Sequence, residues 1–192
     1  MGEHVVRERI AELDRQISEL SRGVAVAARA DGAKVVTSGG DLVSRAMMLV
    51  LSELRKDVPY DSCSVQELRE TRLVIIGGVG FADLDVILGE SFEIDNVDIP
   101  NGEVIHRRRP FLVSDAEQYR AFRRGLHVGV GIHSWLGVPL LADGLSLGML
   151  ALDKAEADFY TYDHGAHAMA FAAVLAKAML RARAEEDQVE TA

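Results

Sequence analysis

Residues 134–154 read SWLGVPLLADGLSLGMLALDK, two apolar runs joined by Asp143-Gly144. An Asp-Gly pair supplies the positive φ angles of a two-residue type I′ turn, so the stretch is expected to form a β-hairpin. With that turn the register follows: Ala142 faces Leu145, Val138 faces Met149, Gly137 faces Leu150, and Trp135 faces Leu152. Side chains alternate across a strand. One face should therefore carry Leu136, Val138, Leu140, Leu147 and Met149, and the other Trp135, Gly137, Pro139, Ser146, Gly148, Leu150 and Leu152. The first face is uniformly bulky and calls for a helix layer. The second sets one large aromatic among small residues and leaves room for a ligand.

Working outward, residues 162–186 contain AHAMAFAAVLAKAML, apolar nearly all round. A helix of that kind needs two buried surfaces, its own sheet and another helix or subunit. Thr161 is the expected N-cap, and the tail RARAEEDQVETA is polar. At the other end Val6, Ile10, Leu13, Ile17, Leu20 and Val24 recur at alternating spacings of four and three. β-Branched residues at one seam position and Leu at the other favour two parallel helices. The same spacing also fits a helix packed on its own domain. The expected organisation is a coiled-coil-like helix and linker over 1–40, a folded domain over 41–182, and a polar tail over 183–192. Asp41 is read as the N-cap of a helix that Pro59 stops. DSCSVQELRE and TRLVIIGGVG read as strands broken near Glu70, and a short helix or loop follows from Phe81 to Leu88. From Gly89 to Gly131 the chain reads as irregular, with Pro100-Asn101-Gly102, Arg109-Pro110 and Gly129-Val130-Gly131 as loop signals. Long decorated connections of this kind often carry function.

Composition narrows the partners. The 192 residues carry 30 acidic and 21 basic side chains, a net charge of -9 that repels phosphate backbones. Nucleic acid is not an expected partner, and neither is a membrane, because no apolar run is long enough to span one. The opening MGEHVVRERIAEL is charged and amphipathic, unlike a signal peptide. Cys63 is the only cysteine, so no intrachain disulfide can form and a cytoplasmic location is expected.

The hairpin with its continuation IHSWLGVPLLADGLSLGMLALDKAEADFYTYD, together with LGESFEID, RRRPFLVSD and the helix before Pro59-Tyr60-Asp61, resembles the GAF domain family of small-molecule sensors, relatives of PAS modules, over about residues 41–180. The resemblance implies an α+β fold: a GAF/PAS-like antiparallel sheet with the N- and C-terminal helices on one face and a ligand pocket on the other. Cyclic-nucleotide-binding members carry Asn-Lys, then Phe, then Asp-Glu; here Asp153-Lys154, Phe159 and Asp163-His164 stand in those places, and two of the five positions differ. Bilin-binding members attach their pigment through a pocket cysteine, whereas Cys63 lies in the first strand. Members that reduce free methionine sulfoxide resolve an oxidised thiol with a second one, which a single cysteine cannot supply.

No linked nucleophile, base and metal set stands out, so no enzyme is expected. Ser134 lacks the flanking glycines of a nucleophile elbow, with Ile132 and Leu136 in their place. GGVGFAD has Asp83 where a dinucleotide loop needs its third glycine. His164 and His167 read as surface helix residues, and Arg107-Arg108-Arg109 as a solvated turn. The expected ligand-binding residues are the aromatics Phe92, Phe111, Tyr119, Phe122 and Trp135, the polar groups Asp115, His127, His133 and Ser134, and Leu150 on the same hairpin face. The function expected is a non-catalytic sensory module that binds a small molecule of unassigned identity and signals, through a helical homodimer, to a downstream domain or protein. Two alternatives stand beside it: an adaptor whose pocket is filled by its own side chains, and a haem-binding gas or redox sensor with His127 or His133 as axial ligand. The sequence names no cofactor.

Overall fold

The apolar runs pair into one six-stranded antiparallel sheet in the order β3-β2-β1-β6-β5-β4. The structure, a computed structural model, describes residues 3–21, 40–95, 98–122 and 131–190. The strands are β1 (Ser62–Arg69), β2 (Arg72–Val79), β3 (Ser91–Glu93), β4 (Phe111–Val113), β5 (Ser134–Ala142) and β6 (Leu145–Lys154). The helices are α1 (Glu3–Ser21), α2 (Gly40–Asp57), α3 (Leu84–Ile87), α4 (Pro100–Arg107) and α5 (Tyr162–Glu190). The β1–β2 turn falls at Glu70, which takes a left-handed φ of 54°. Helix α2 starts at Gly40, one residue before the expected cap at Asp41.

One face of the sheet carries the helix layer. Helix α5 lies on β5, α2 packs on α5, and α1 packs against both. This explains the apolar circumference of α5: Phe171, Ala172, Leu175, Ala176, Ala178 and Met179 are all buried between sheet and helices. Thr161 caps α5 as expected, its Oγ1 accepting the His164 N–H at 3.2 Å. Helix α5 continues unbroken to Glu190, past the expected boundary at 183.

The seam of α1 is used inside the chain. Val6, Leu13 and Ile17 join the same core as α2 and α5, and Ile10 packs against its edge, while Val24 lies outside the described residues. Arg9 fastens the contact: its guanidinium donates to both Asp57 carboxylate oxygens at 2.7 and 2.9 Å, to the Glu53 side chain at 3.0 Å, and stands over the Phe171 ring. Within the chain, the 4-3 spacing packs α1 on its own domain.

The hairpin forms, but its register departs from the expected one. Ala142 faces Leu145 and Leu141 faces Ser146; then Leu140 faces Gly148, and Leu147 has no opposite residue on β5. This β-bulge shifts every later pair by one residue, so Val138 faces Leu150, Gly137 faces Ala151, and Trp135 faces Asp153. Met149 consequently joins Trp135 and Ala151 on the far face. Leu150 and Leu152 turn into the helix-side core. Gly148 makes the bulge possible, with φ of 150° and a backbone so close to β1 that a Cβ would drive into the Gln66 carbonyl oxygen and stand 3.0 Å from Glu67 Cα.

The second correction lies at residues 100–107, where Pro100-Asn101-Gly102 opens a helix. Proline's fixed φ suits the first helical turn, where its missing N–H costs nothing, and Pro100 occupies that place in α4. Val104 and Ile105 of α4 cover the far face of the sheet and pack with Trp135, Met149, Ala151 and Val113 into a smaller second core. Of the three arginines expected to form a solvated turn, Arg107 ends α4, and Arg108 and Arg109 make the exposed turn that follows it. Arg107 and Arg109 pair with Glu103, and Arg108 donates to the Gly144 carbonyl at 2.9 Å, tying this turn to the hairpin tip.

Candidate functional site

The far face of the sheet is built from small residues at its centre. Pairing aligns Trp135, Asp153 and Ser62 across β5, β6 and β1, and the next row on the same face is Gly137, Ala151, Ser64 and Gly78. Two aromatic rings fold down onto that floor. The indole of Trp135 lies over Gly137, where a Cβ would stand 2.7 Å from Cζ3. The ring of Phe81 lies over Gly78, where a Cβ would stand 2.8 Å from Cε2.

Beside the Phe81 ring, at the Asp153 end of the sheet, is a pocket of about 200 Å³. Its polar rim is Asp61, Ser62, Asp153 and Lys154; its apolar wall is Phe81 with Ala82 and Val86 on one side and Gly131 with Ile132 on the other. A cavity of about 150 Å³ holds a benzene-sized molecule, so this one suits a compact ligand. Asp153 is 6 % exposed. Burial pushes its carboxyl up to about 7, against the Ser62 hydroxyl that donates to Oδ2 at 2.6 Å, and the nearby Asp61 charge adds to the rise. Burial also pushes the Asp61 carboxyl up, but the Lys154 ammonium at 2.6 Å and the Ala155 N–H at 2.8 Å together hold it below the usual carboxylate range. Lys154 also stands over the Phe159 ring, 5.1 Å from its centroid.

The expected site residues fall into groups. Phe111, Tyr119, Phe122 and Trp135 come together: Phe122 meets the Trp135 indole edge to face at 6.0 Å, and Phe111 meets Tyr119 at 6.1 Å. Phe92 is on the same face but on edge strand β3, opposite Leu73. Asp115 closes the turn after β4, accepting the Glu117 N–H at 2.9 Å and the Gln118 amide at 2.6 Å, which with His133 nearby hold its carboxyl low. His133 Nδ1 stands 3.7 Å from Asp115 Oδ1. Ser134 is interior, accepting the Phe159 N–H at 2.9 Å and donating to the Ser114 carbonyl at 3.2 Å. Leu150 was expected on this face, and the bulge places it in the helix-side core. His127 lies outside the described residues. The pocket shares no residue with this aromatic group, and its Ile132 wall packs against the second core to which the group belongs.

Sequence reading missed Asp61, Ser62, Phe81 and Asp153. One signal was available: Asp153 puts a carboxyl inside the strand, directly after the uncharged run from Leu147 to Leu152. Cys63 offers no nucleophile here. It is fully buried, and burial with Asp153 nearby raises its thiol well above the ordinary range. Among the described residues no group of histidine, cysteine and carboxylate side chains could hold a metal ion, and no helix is long and apolar enough to cross a membrane.

A family model described as GAF domain matches residues 43–179. No curated protein matches the chain. Among solved structures, the GAF domain of a phosphoenolpyruvate-protein phosphotransferase from Coxiella burnetii superposes with a TM-score of 0.68 at 22% identity, covering 94% of this chain and 98% of that one. A free methionine-R-sulfoxide reductase from Neisseria meningitidis, in complex with its substrate, gives 0.65 at 14% identity, covering 94% and 91%. The GAF-B domain of DevS from Mycobacterium smegmatis gives 0.56 at 20% identity, covering 75% and 95%.

Proposed function

We propose that this chain, which belongs to the GAF family, is a non-catalytic cytoplasmic sensor that holds a small molecule in the pocket at the Asp153 end of the sheet. The observation that carries the reading is a 200 Å³ pocket whose wall is apolar and whose floor holds the buried Asp153 carboxyl. A compact apolar cavity with few convergent polar groups is what small-molecule sites require. Burial of Cys63, the single thiol of the chain, supports the non-catalytic part of this reading against thiol chemistry. Native mass spectrometry of the gently purified protein tests the reading, with retention of a small molecule by the native chain and its loss on Phe81→Ala or Asp153→Leu as the expected result.

The signal passes, in this proposal, through a homodimer of the terminal helices to a downstream domain or protein. Helices α1 and α5 lie side by side in the same sense, since Arg9 sits over Phe171 and Arg181 reaches Ser18 at 2.8 Å. Two parallel terminal helices present one joint surface to a second copy. Sedimentation at micromolar concentration tests this, and a monomer would refute it.

A second reading, the adaptor, is favoured by the two rings lying on Gly137 and Gly78. Those rings take up part of the floor that a ligand would use. Retention of nothing by native protein, together with an intact dimer, would select it.

A further inference from the structure

The polar groups of the pocket are not balanced. Lys154 is the only cation among the described lining residues, and it is spent: its ammonium lies 2.6 Å from Asp61 and over the Phe159 ring. Asp61 is spent as well, one oxygen on Lys154 and the other on the Ala155 N–H. Asp83 turns to its own helix, accepting the Asp85 N–H as the cap of α3. Asp153 is different. It is more than nine-tenths buried, lines the pocket, and among the described residues only Ser62 donates to its carboxyl, at one oxygen. Because the Ser62 hydroxyl spends its proton on Asp153, its remaining capacity is to accept. Among the described side chains that line the pocket, the groups left over are thus acceptors, and none is an unpaired cation.

We infer that this pocket selects a small molecule ending in a protonated amine on a compact apolar body, with Asp153 and Ser62 receiving the amine and Phe81, Val86 and Ile132 enclosing the body. The inference rests on the proposed small-molecule site and adds its chemical class. An ammonium donates several hydrogen bonds and carries the charge that a buried carboxylate lacks, and charge-assisted hydrogen bonds are the strong ones. A carboxylate or phosphate would meet Asp153 and Asp61 with its own charge and find Lys154 already neutralised. The volume limits the body to about the size of a small ring or a branched alkyl group.

Three isosteric probes, isobutylamine, isobutyrate and isobutanol, separate charge from shape. Each is titrated at pH 8 into the full chain with labelled methyl groups, and the Val86 and Ile132 resonances are followed. Isobutylamine is expected to shift both and to bind at least about tenfold more tightly than the other two, and Asp153→Asn is expected to abolish that preference while leaving the fold intact. Lys154→Met should leave amine binding in place. Preference for isobutyrate, or equal binding of all three probes, overturns the amine assignment and leaves the pocket standing as a small-molecule site. Failure of all three to move either resonance overturns the assignment and the pocket together.

Discussion

Trp135 covers Gly137: the indole occupies the space in which any larger residue at 137 would place its Cβ, and Val104 of α4 closes the same space from the other side at 2.7 Å. A glycine is required there by close approach, with no unusual backbone angle involved. Gly137→Ala must push the ring or α4 outward, and overpacking of this kind costs about 1–3 kcal/mol. Urea denaturation of the variant checks it. Unchanged stability would mean that the ring moves freely and that the second core is looser than its packing indicates.

Gly148→Ala should cost more. Its Cβ would meet the backbone of β1 itself at a φ of 150°, and backbone cannot rotate away as a side chain can. A loss of more than about 3 kcal/mol is expected, read as a fall in the denaturation midpoint together with lost amide protection at Gln66 and Glu67. Strict alternation instead suggested a position among the small residues of the face with room for a ligand.

Asp153 predicts a pH dependence with a definite sign. Its carboxyl titrates at about 7 in the folded chain, against an ordinary value of 3.8, so the folded state holds this proton more tightly than the unfolded state. The stabilisation is fully present below about pH 4 and is lost as pH rises through about 7, with a slope of up to about 1.4 kcal/mol per pH unit across that window. Asp153→Asn should remove the slope and be more stable than the native chain at pH 8. Carboxylates held low by partners, such as Asp61 and Glu67, act in the opposite sense near and below pH 4 and cancel in the difference between the two proteins. Parallel stability profiles for native and variant from pH 4 to 8 would contradict the assignment.

Leu13→Glu distinguishes the two uses of α1. Leu13 is 3 % exposed within the chain's own core, so a carboxylate there should lower stability by several kcal/mol and release α1 to proteolysis in the isolated protomer. Thermal unfolding at concentrations where the native protein is monomeric measures this directly. An unchanged midpoint with altered sedimentation would return the seam to an interface between chains.

The elements of the fold were legible where periodicity and punctuation agree. Asp143-Gly144 marked the hairpin turn, Glu70 the β1–β2 turn, and Thr161 the start of α5, because each depends on residues adjacent in sequence. Pro100 misled because proline both ends one element and opens the next, and only packing of Val104 and Ile105 on the sheet decides between them. The site was less legible than the fold. The aromatic group at Trp135 was anticipated through strand alternation, but Asp61, Phe81 and Asp153 meet only because β1, the loop after β2, and β6 converge at one end of the sheet. The bulge at Leu147 adds a further limit, since it inverts Met149, Leu150 and Leu152 relative to strict alternation. Its cause is the approach of Gly148 to the Gln66 backbone, a contact between strands about eighty residues apart in the chain.

The hairpin therefore counts one more residue on one arm than on the other, which sets its tolerance to insertions and deletions. Loss of Leu147 would make the count even and leave Trp135 opposite Asp153, at the cost of one buried leucine, about 2–5 kcal/mol. Loss of any one residue from Met149 to Leu152 would instead turn the residues on one side of the gap over, sending Asp153 into the helix layer or the hairpin tip into the pocket face. In a family of related chains, length variation in this arm is expected to fall at position 147 and to stop before 149, whatever substitutions the rest of the strand accepts.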